Sequence, residues 1–315
     1  MRFFVKYLQL LMVLIIVSAC GGGGVSDLIL WGILSESEES DNQVVDTINK
    51  SGAVPFENRI QAKNIVDAGG TIVATGRSIE GNFILSANNM VTNISTSESP
   101  AAVFASKSDF ILETNNTSWR FSSNEFDSFY PISVFSRLET ESAKEILSFE
   151  GLDYTNFGLW LESPRVGKIS PNVFGAYYVG VPTGVNLPAS GQANYRGASL
   201  GLYLDRTSVG YVVTSEVTAL ANFSTRTIGF STNQSARQQL SPVGSAINAP
   251  ELNITGQLTI VPGSSAFSGT FTTNNGMVGS SKGEFLGPGA KEIGGIFNLK
   301  GSDMTTYVGS YGATK

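Results

Sequence analysis

From about Ser190 to Lys315 the chain alternates apolar and polar residues with unusual regularity. Between Val209 and Phe223 one face carries Val209, Tyr211, Val213, Ser215, Val217, Ala219, Ala221 and Phe223. The other carries Gly210, Thr214, Glu216, Thr218 and Asn222, with Val212 and Leu220 as exceptions. From Glu251 to Ile260 the apolar face is Leu252, Ile254, Leu258 and Ile260, and Phe267 and Phe271 flank Gly269 in the next run. A period of two predicts strands with one dry and one wet face. The breaks at Asn233-Gln234-Ser235 and Pro262-Gly263-Ser264 predict an antiparallel arrangement. Several such strands in succession, with glycine on inward positions, suggest a small closed barrel filled by side chains. Closure would also remove the sheet edges that invite aggregation.

Between Val54 and Asn186 the apolar runs are shorter. Thr71–Thr75, Asn82–Leu85, Ala101–Phe104 and Phe110–Leu112 read as short strands separated by turns rich in Gly and Asn. One short helix is expected over Ser142–Phe149, where Ser142 and Glu145 have capping-box spacing. Aromatic residues concentrate in this half, from Phe121 and Phe135 to Phe157, Trp160 and Phe174. Most should face a core. A minority at loop tips would act as binding anchors, and Phe126, Phe129, Tyr130, Tyr177 and Tyr178 are the candidates for ligand contact.

The N-terminus has a different pattern. Arg2 and Lys6 precede an apolar run from Tyr7 to Val17, too short to span a bilayer comfortably and laid out like a cleavable secretory signal. Val17-Ser18-Ala19-Cys20 resembles the lipobox of bacterial lipoproteins, which makes Cys20 the expected site of lipid attachment. An uncleaved anchor helix, or a chance cysteine after an ordinary signal peptide, are the alternatives. Gly21 directly after Cys20 is not the Asp of an inner-membrane retention signal, which favours the outer membrane. Gly21–Gly24 is a flexible spacer. The stretch Ser35–Asp46 holds five acidic residues and no basic one, so it reads as an extended tether. The apolar cluster Leu28–Leu34 lies within this region.

Composition narrows the chemistry. The 315 residues contain no His and one Cys, with 41% hydrophobic and 15% charged residues, which fits a folded body of about two domains. Without His there is no Ser-His-Asp triad, no Cys-His dyad and no His-ligated zinc or haem iron. One Cys excludes an internal disulfide framework. Gly197-Ala198-Ser199-Leu200-Gly201 matches the nucleophile-elbow pattern, but it falls inside a predicted strand and lacks a base. The chain reads as a non-enzyme that calls for no metal, no cofactor and no catalytic residue. The side chains from Cys20 to Ala189 sum to −10 and those from Ser190 onward to +2. That distribution argues against nucleic acid, where a basic patch is expected.

Two stretches carry a family resemblance. Thr183-Gly184-Val185-Asn186-Leu187-Pro188-Ala189-Ser190-Gly191-Gln192-Ala193-Asn194-Tyr195-Arg196-Gly197 resembles the start of the C-terminal barrel in the transferrin-binding protein B-like family. Gly283-Glu284-Phe285-Leu286-Gly287-Pro288-Gly289-Ala290-Lys291-Glu292-Ile293-Gly294-Gly295-Ile296-Phe297 is similar to that family's signature near the barrel's end. There Glu292 is expected to be structural, bonding to turn backbone. Tyr154-Thr155-Asn156-Phe157-Gly158-Leu159-Trp160 also resembles the segment before the barrel.

The resemblance implies a mainly β protein, with a β-rich handle followed by an eight-stranded antiparallel barrel. The expected organisation is a signal peptide over 1–19, a tether over 20–53, a handle over 54–189 and the barrel over 190–315. It further implies a surface lipoprotein of the bacterial outer membrane, held by its N-terminal lipid. Such a protein would bind a host or environmental protein or a small ligand, with iron or haem acquisition as one route. An outer-membrane receptor or translocon is an implied partner. A structural or adhesion lipoprotein is the alternative. The length matches one handle-plus-barrel lobe, and the missing His removes the side chain most often used to ligate haem iron, while Tyr ligation stays chemically open.

Overall fold

The structure, a computed structural model, describes residues 52–85, 91–129, 131–140, 142–164, 172–205, 210–240 and 245–315. Cys20, the tether and the cluster Leu28–Leu34 lie outside the described residues.

The first half forms β1 (Ala53–Pro55), α1 (Arg59–Asp67), β2 (Thr71–Leu85), β3 (Val91–Ala105), β4 (Asp109–Thr114), β5 (Ser118–Ser122), β6 (Phe126–Phe129), β7 (Ile132–Leu138), β8 (Ser142–Phe149), β9 (Thr155–Pro164) and β10 (Asn172–Gly180). Its strands make one sheet in the order β5-β4-β3-β2-β10-β9-β8-β7-β6, with β1 added in parallel to β2. The sheet curls until its ends meet. Phe110 of β4 stacks on Phe135 of β7 at 4.1 Å, and Trp119 of β5 meets Trp160 of β9 edge-on at 5.1 Å. These rings, with Leu112, Phe121, Ile146 and Tyr177, form the interior of the handle.

Two sequence expectations are corrected in this half. Ser142–Phe149 is a strand, β8, between β7 and β9. Its faces are both covered: Ile146 enters the handle interior, while Leu147 and Phe149 join a second core on the other side. Burial on both faces blurs the period of two, and tertiary packing overrides a capping box. Likewise Thr71–Thr75 and Asn82–Leu85 belong to one continuous strand. Gly76 and Gly81 are close-approach positions within it. A Cβ on Gly76 would stand 2.1 Å from the Tyr178 carbonyl oxygen, and one on Gly81 2.4 Å from the Phe174 ring. The helix that does form is α1. The Asn58 side chain caps it by accepting from the Gln61 N–H at 2.9 Å, and Gly69 lies just beyond its end at φ +85°.

Among the described residues no ladder joins β5 to β6 or β7, and Arg137 spans that seam. Its guanidinium donates to the Arg120 carbonyl on the free edge of β5 at 3.0 Å, pairs with Glu139 at 3.1 Å and lies 5.5 Å from the centre of the Phe121 ring. A side-chain donor thus satisfies an edge carbonyl that has no strand partner. Arg137→Ala is expected to lower stability by about 1–3 kcal/mol. Urea midpoints measure this, and an unchanged midpoint would show that the rings alone close the sheet.

The second half forms β11 (Gln192–Leu204), β12 (Gly210–Asn222), β13 (Thr227–Gln239), β14 (Ile247–Asn248), β15 (Ile254–Ile260), β16 (Ala266–Thr273), β17 (Val278–Leu286), β18 (Glu292–Lys300) and β19 (Thr306–Thr314). Every pairing among them is antiparallel. The path β12-β11-β19-β18-β17-β16-β15-β13 closes through β12–β13, giving an eight-stranded barrel with β14 as an appendage. Asn233-Gln234-Ser235 is not a turn. It lies within β13, where the register against β12 shifts and Gln234 takes φ +52°. This bulge lets β13 leave β15 and pair with β14. Pro262-Gly263-Ser264 is a turn, with Gly263 at φ +72°.

The two sheets pack face to face. β9 and β10 lie on β19 and β18, and the outward residues Leu200, Leu202, Ile296 and Val308 meet Leu147, Phe157, Leu159 and Phe174 of the handle. The strands β11, β18 and β19 are therefore buried on both faces over most of their length. Val212, an exception to the alternation of β12, belongs to this same core, whereas Leu220 stays exposed.

Candidate functional site

The barrel interior holds packed aromatic rings. Phe230 stacks on Phe271 at 4.5 Å and contacts Tyr311 at 4.8 Å, and Phe297 meets Tyr307 at 4.9 Å. The inward glycines lie beneath these rings. A Cβ on Gly295 would stand 2.4 Å from the Tyr311 ring. Ala249 and Leu252, from the segment between β14 and β15, are fully buried in the same core. The interior is thus filled with side chains. Ser199 of the elbow-like pattern lies in β11 and is wholly buried, so it is not a nucleophile on a strand-to-helix turn.

The candidate contact aromatics do not form one site. Tyr177 and Tyr178, adjacent on β10, point to opposite faces. Tyr177 is buried in the handle interior and Tyr178 in the core between the sheets. Neither side chain is available as a surface anchor, and burial holds both phenols well above their ordinary pKa. Phe126 and Phe129 lie on β6, paired through backbone with Phe135 and Ile132. Their side chains, and the whole of Tyr130, lie outside the described residues. Of the described tyrosines only Tyr154 and Tyr211 are partly exposed.

The stretch Gly283–Phe297 instead joins handle to barrel. Phe285 and Phe297 point into the barrel. Gly287 (φ +72°) lies so close to the Tyr154 ring that a Cβ would stand 2.6 Å from it. The carbonyl of Ala290, itself at φ +58°, accepts from the Tyr195 hydroxyl at 2.7 Å. Glu292 is 1% exposed, and its carboxylate accepts the Asp153 N–H at 2.8 Å and the Tyr154 N–H at 3.0 Å. Burial pushes its pKa up, while these donors pull it down. The Thr183 N–H donates to Phe285 O at 2.9 Å, the Thr183 hydroxyl donates to Gly287 O at 2.6 Å, and the Gly287 N–H donates to Val181 O at 2.7 Å. On its far side the 150–153 segment is held by α1, where the Arg59 N–H donates to Asp153 O at 2.7 Å. This is a latch between two sheets, with a buried carboxylate at its centre. The sequence pattern identifies Glu292 as structural, and the fold supplies its partners.

Further along the same interface the contacts become polar and a cleft of about 340 Å³ opens, lined by Ile79, Thr96, Ser97, Glu98, Lys282 and Asn298. Lys282 Nζ pairs with Glu98 at 2.7 Å, and Asn298 Nδ2 donates to Thr96 Oγ1 at 2.7 Å. This cleft is invisible in the sequence, because its walls come from β2, β3, β17 and β18 and no local pattern marks them.

A second buried carboxyl makes the handle sensitive to pH. Glu145, in register with Ser136 and Leu161, is 5% exposed, and among the described residues no hydrogen bond or ion pair reaches it. Burial pushes its pKa up to about 7 from 4.5. Between those values the folded chain holds the proton that the unfolded chain has released. The contribution to stability is therefore full below pH 4.5 and lost as pH rises through 7. Glu145→Gln is expected to remove that slope, a difference on the order of 3 kcal/mol by pH 8. Urea midpoints from pH 4 to 8 for both proteins measure it, and parallel curves would contradict it.

Comparison with known proteins places these features. Residues 187–315 match the family model described as the C-lobe and N-lobe beta barrels of Tf-binding protein B. Among solved structures, a double mutant of transferrin binding protein B from Haemophilus parasuis Hp5 is 15% identical, with TM-score 0.44. The alignment covers 76% of this chain and 44% of that one. The protein from Actinobacillus pleuropneumoniae H49, a Phe-171-Ala mutant, is 15% identical with TM-score 0.41, covering 76% of this chain and 98% of the other. The protein from serogroup B Neisseria meningitidis is 17% identical with TM-score 0.39, covering 69% and 52%. Among curated proteins the chain finds no match. At these identities and scores the structural likenesses assign no ligand.

Proposed function

Because residues 187–315 form a barrel of the Tf-binding protein B family, we propose that this chain is a surface lipoprotein of the outer membrane, anchored through Cys20. It acts as a non-catalytic binding protein for a host or environmental protein or a small ligand. The family match to the barrel carries this reading. The filled interior supports it by leaving recognition to outer surfaces, since a closed barrel packed with Phe and Tyr has no room for a cargo. A role in iron or haem acquisition is its narrower form, for which Tyr154 and Tyr211 are the partly exposed described phenols. Transferrin itself is not carried over, because the chain spans 44% of the length of the Haemophilus parasuis protein. The filled barrel equally suits a structural or adhesion lipoprotein without a small ligand.

Three measurements test the proposal. Protease added to intact cells should cleave the handle, and a Cys20→Ser variant should lose the lipid and leave the membrane. The purified chain should then retain a specific partner, or a haem absorbance band, through extensive washing. Full protection of the handle on intact cells contradicts surface exposure. Absence of both partner and chromophore favours the structural reading.

A further inference from the structure

We propose that the cleft between β3 of the handle and the β17–β18 pair of the barrel binds a neutral polyhydroxylated small molecule the size of a single sugar ring. At about 340 Å³ the cleft lies at the small end of ligand pockets. Its chemistry selects the class. Among the described residues its wall carries two charges, Glu98 and Lys282, and they neutralise each other at 2.7 Å. An anion entering the cleft meets the Glu98 carboxylate and a cation meets the Lys282 ammonium, so neither sign is favoured. Both groups keep hydrogen-bonding capacity beyond their mutual contact, lone pairs on the carboxylate and further N–H bonds on the ammonium.

Deeper in the wall, Asn298 donates its amide to Thr96 Oγ1, which holds that hydroxyl in place. Thr96, already accepting from Asn298, keeps its own O–H to donate. Donors and acceptors therefore alternate around the cleft, and hydroxyl groups are the functional group that answers both at once. Ile79, 2% exposed, adds one apolar wall for a ring's C–H face. Because Glu98 and Thr96 belong to the handle while Lys282 and Asn298 belong to the barrel, a molecule bound there touches both sheets. This rests on the small-ligand form of the binding role proposed above and names the ligand's class, and it stands whether or not a protein partner binds elsewhere.

The test is a titration of the full-length chain, in a detergent without sugar headgroups, followed by saturation-transfer NMR. Glucose, galactose, glucosamine and glucuronate serve as probes. The expected result is transfer to at least one neutral hexose, stronger than to the cationic or anionic analogue. Asn298→Leu and Thr96→Val should each weaken that binding by about tenfold or more. Thr96→Val changes one half-buried hydroxyl, so it carries the test if Asn298→Leu disturbs the interface, which thermal melts by circular dichroism would reveal. The proposal is overturned by no transfer to either neutral hexose, by preference for glucosamine or glucuronate, or by affinity unchanged in Thr96→Val.

Discussion

Glu292→Ala is expected to destabilise the protein by about 2–4 kcal/mol and to lower its melting temperature by roughly 5–10 °C. The wild-type carboxylate serves two backbone N–H groups, those of Asp153 and Tyr154, inside an interface where water does not replace it. Truncation orphans both donors. Part of that cost is offset, because a buried carboxylate with a raised pKa carries a desolvation penalty of its own. Glu292→Gln separates the contributions. Its single carbonyl oxygen can serve one N–H, while its amide nitrogen faces the other donor, so an intermediate loss is expected. If Ala and Gln are both as stable as wild type, the carboxylate does not hold handle to barrel. Differential scanning calorimetry reads the result.

Phe271→Ala is expected to cost about 3–5 kcal/mol, the largest effect of any single truncation considered. Phe271 is fully buried, stacks near Phe230, reaches Phe297 and Tyr311, and covers the position where Gly256 lacks a side chain. A closed barrel has no neighbouring element able to collapse into the space. Most of the deleted volume should therefore persist as a dry cavity, and small apolar solutes such as benzene should raise the variant's melting temperature but not the wild type's. A loss under 1 kcal/mol would mean that the barrel already contains space, which would reopen the interior as a ligand site.

How far the fold was legible depended on which faces are wet. The strand β15 keeps an exposed face and β12 a partly exposed one, so their alternation was plain in the sequence and their inward apolar residues are those found in the barrel core. The strands β11, β18 and β19 are dry on both sides, because the handle covers their outer surface. That same cover explains why Val212 departs from its strand's pattern. In the handle, burial on both faces hid β8 behind a capping-box spacing, and the glycines between Thr75 and Asn82, a turn signal in sequence, mark at Gly76 and Gly81 close contact with β10 and its Phe174. The signature around Glu292 was legible as a structural motif. Its partners were not, since the Tyr154 N–H lies 138 residues away in sequence and no local spacing encodes such a contact. Aromatic enrichment misled most about the site: Tyr177 and Tyr178 are large and adjacent because two cores meet at β10, not because they reach a ligand.

The Glu292 carboxylate clamps the handle's 150–154 segment to the barrel, beside the apolar core the two sheets share. Native-state hydrogen exchange at the amides of Asp153 and Tyr154, the two donors, tests this most directly. Both should be protected to nearly the same degree as the core strands β18 and β19, and Glu292→Ala should speed their exchange by about 100-fold or more while β15 and β16 change less. Rapid exchange of these two amides in the wild-type protein, or exchange unaffected by the substitution, would show that the handle is not latched to the barrel in this way.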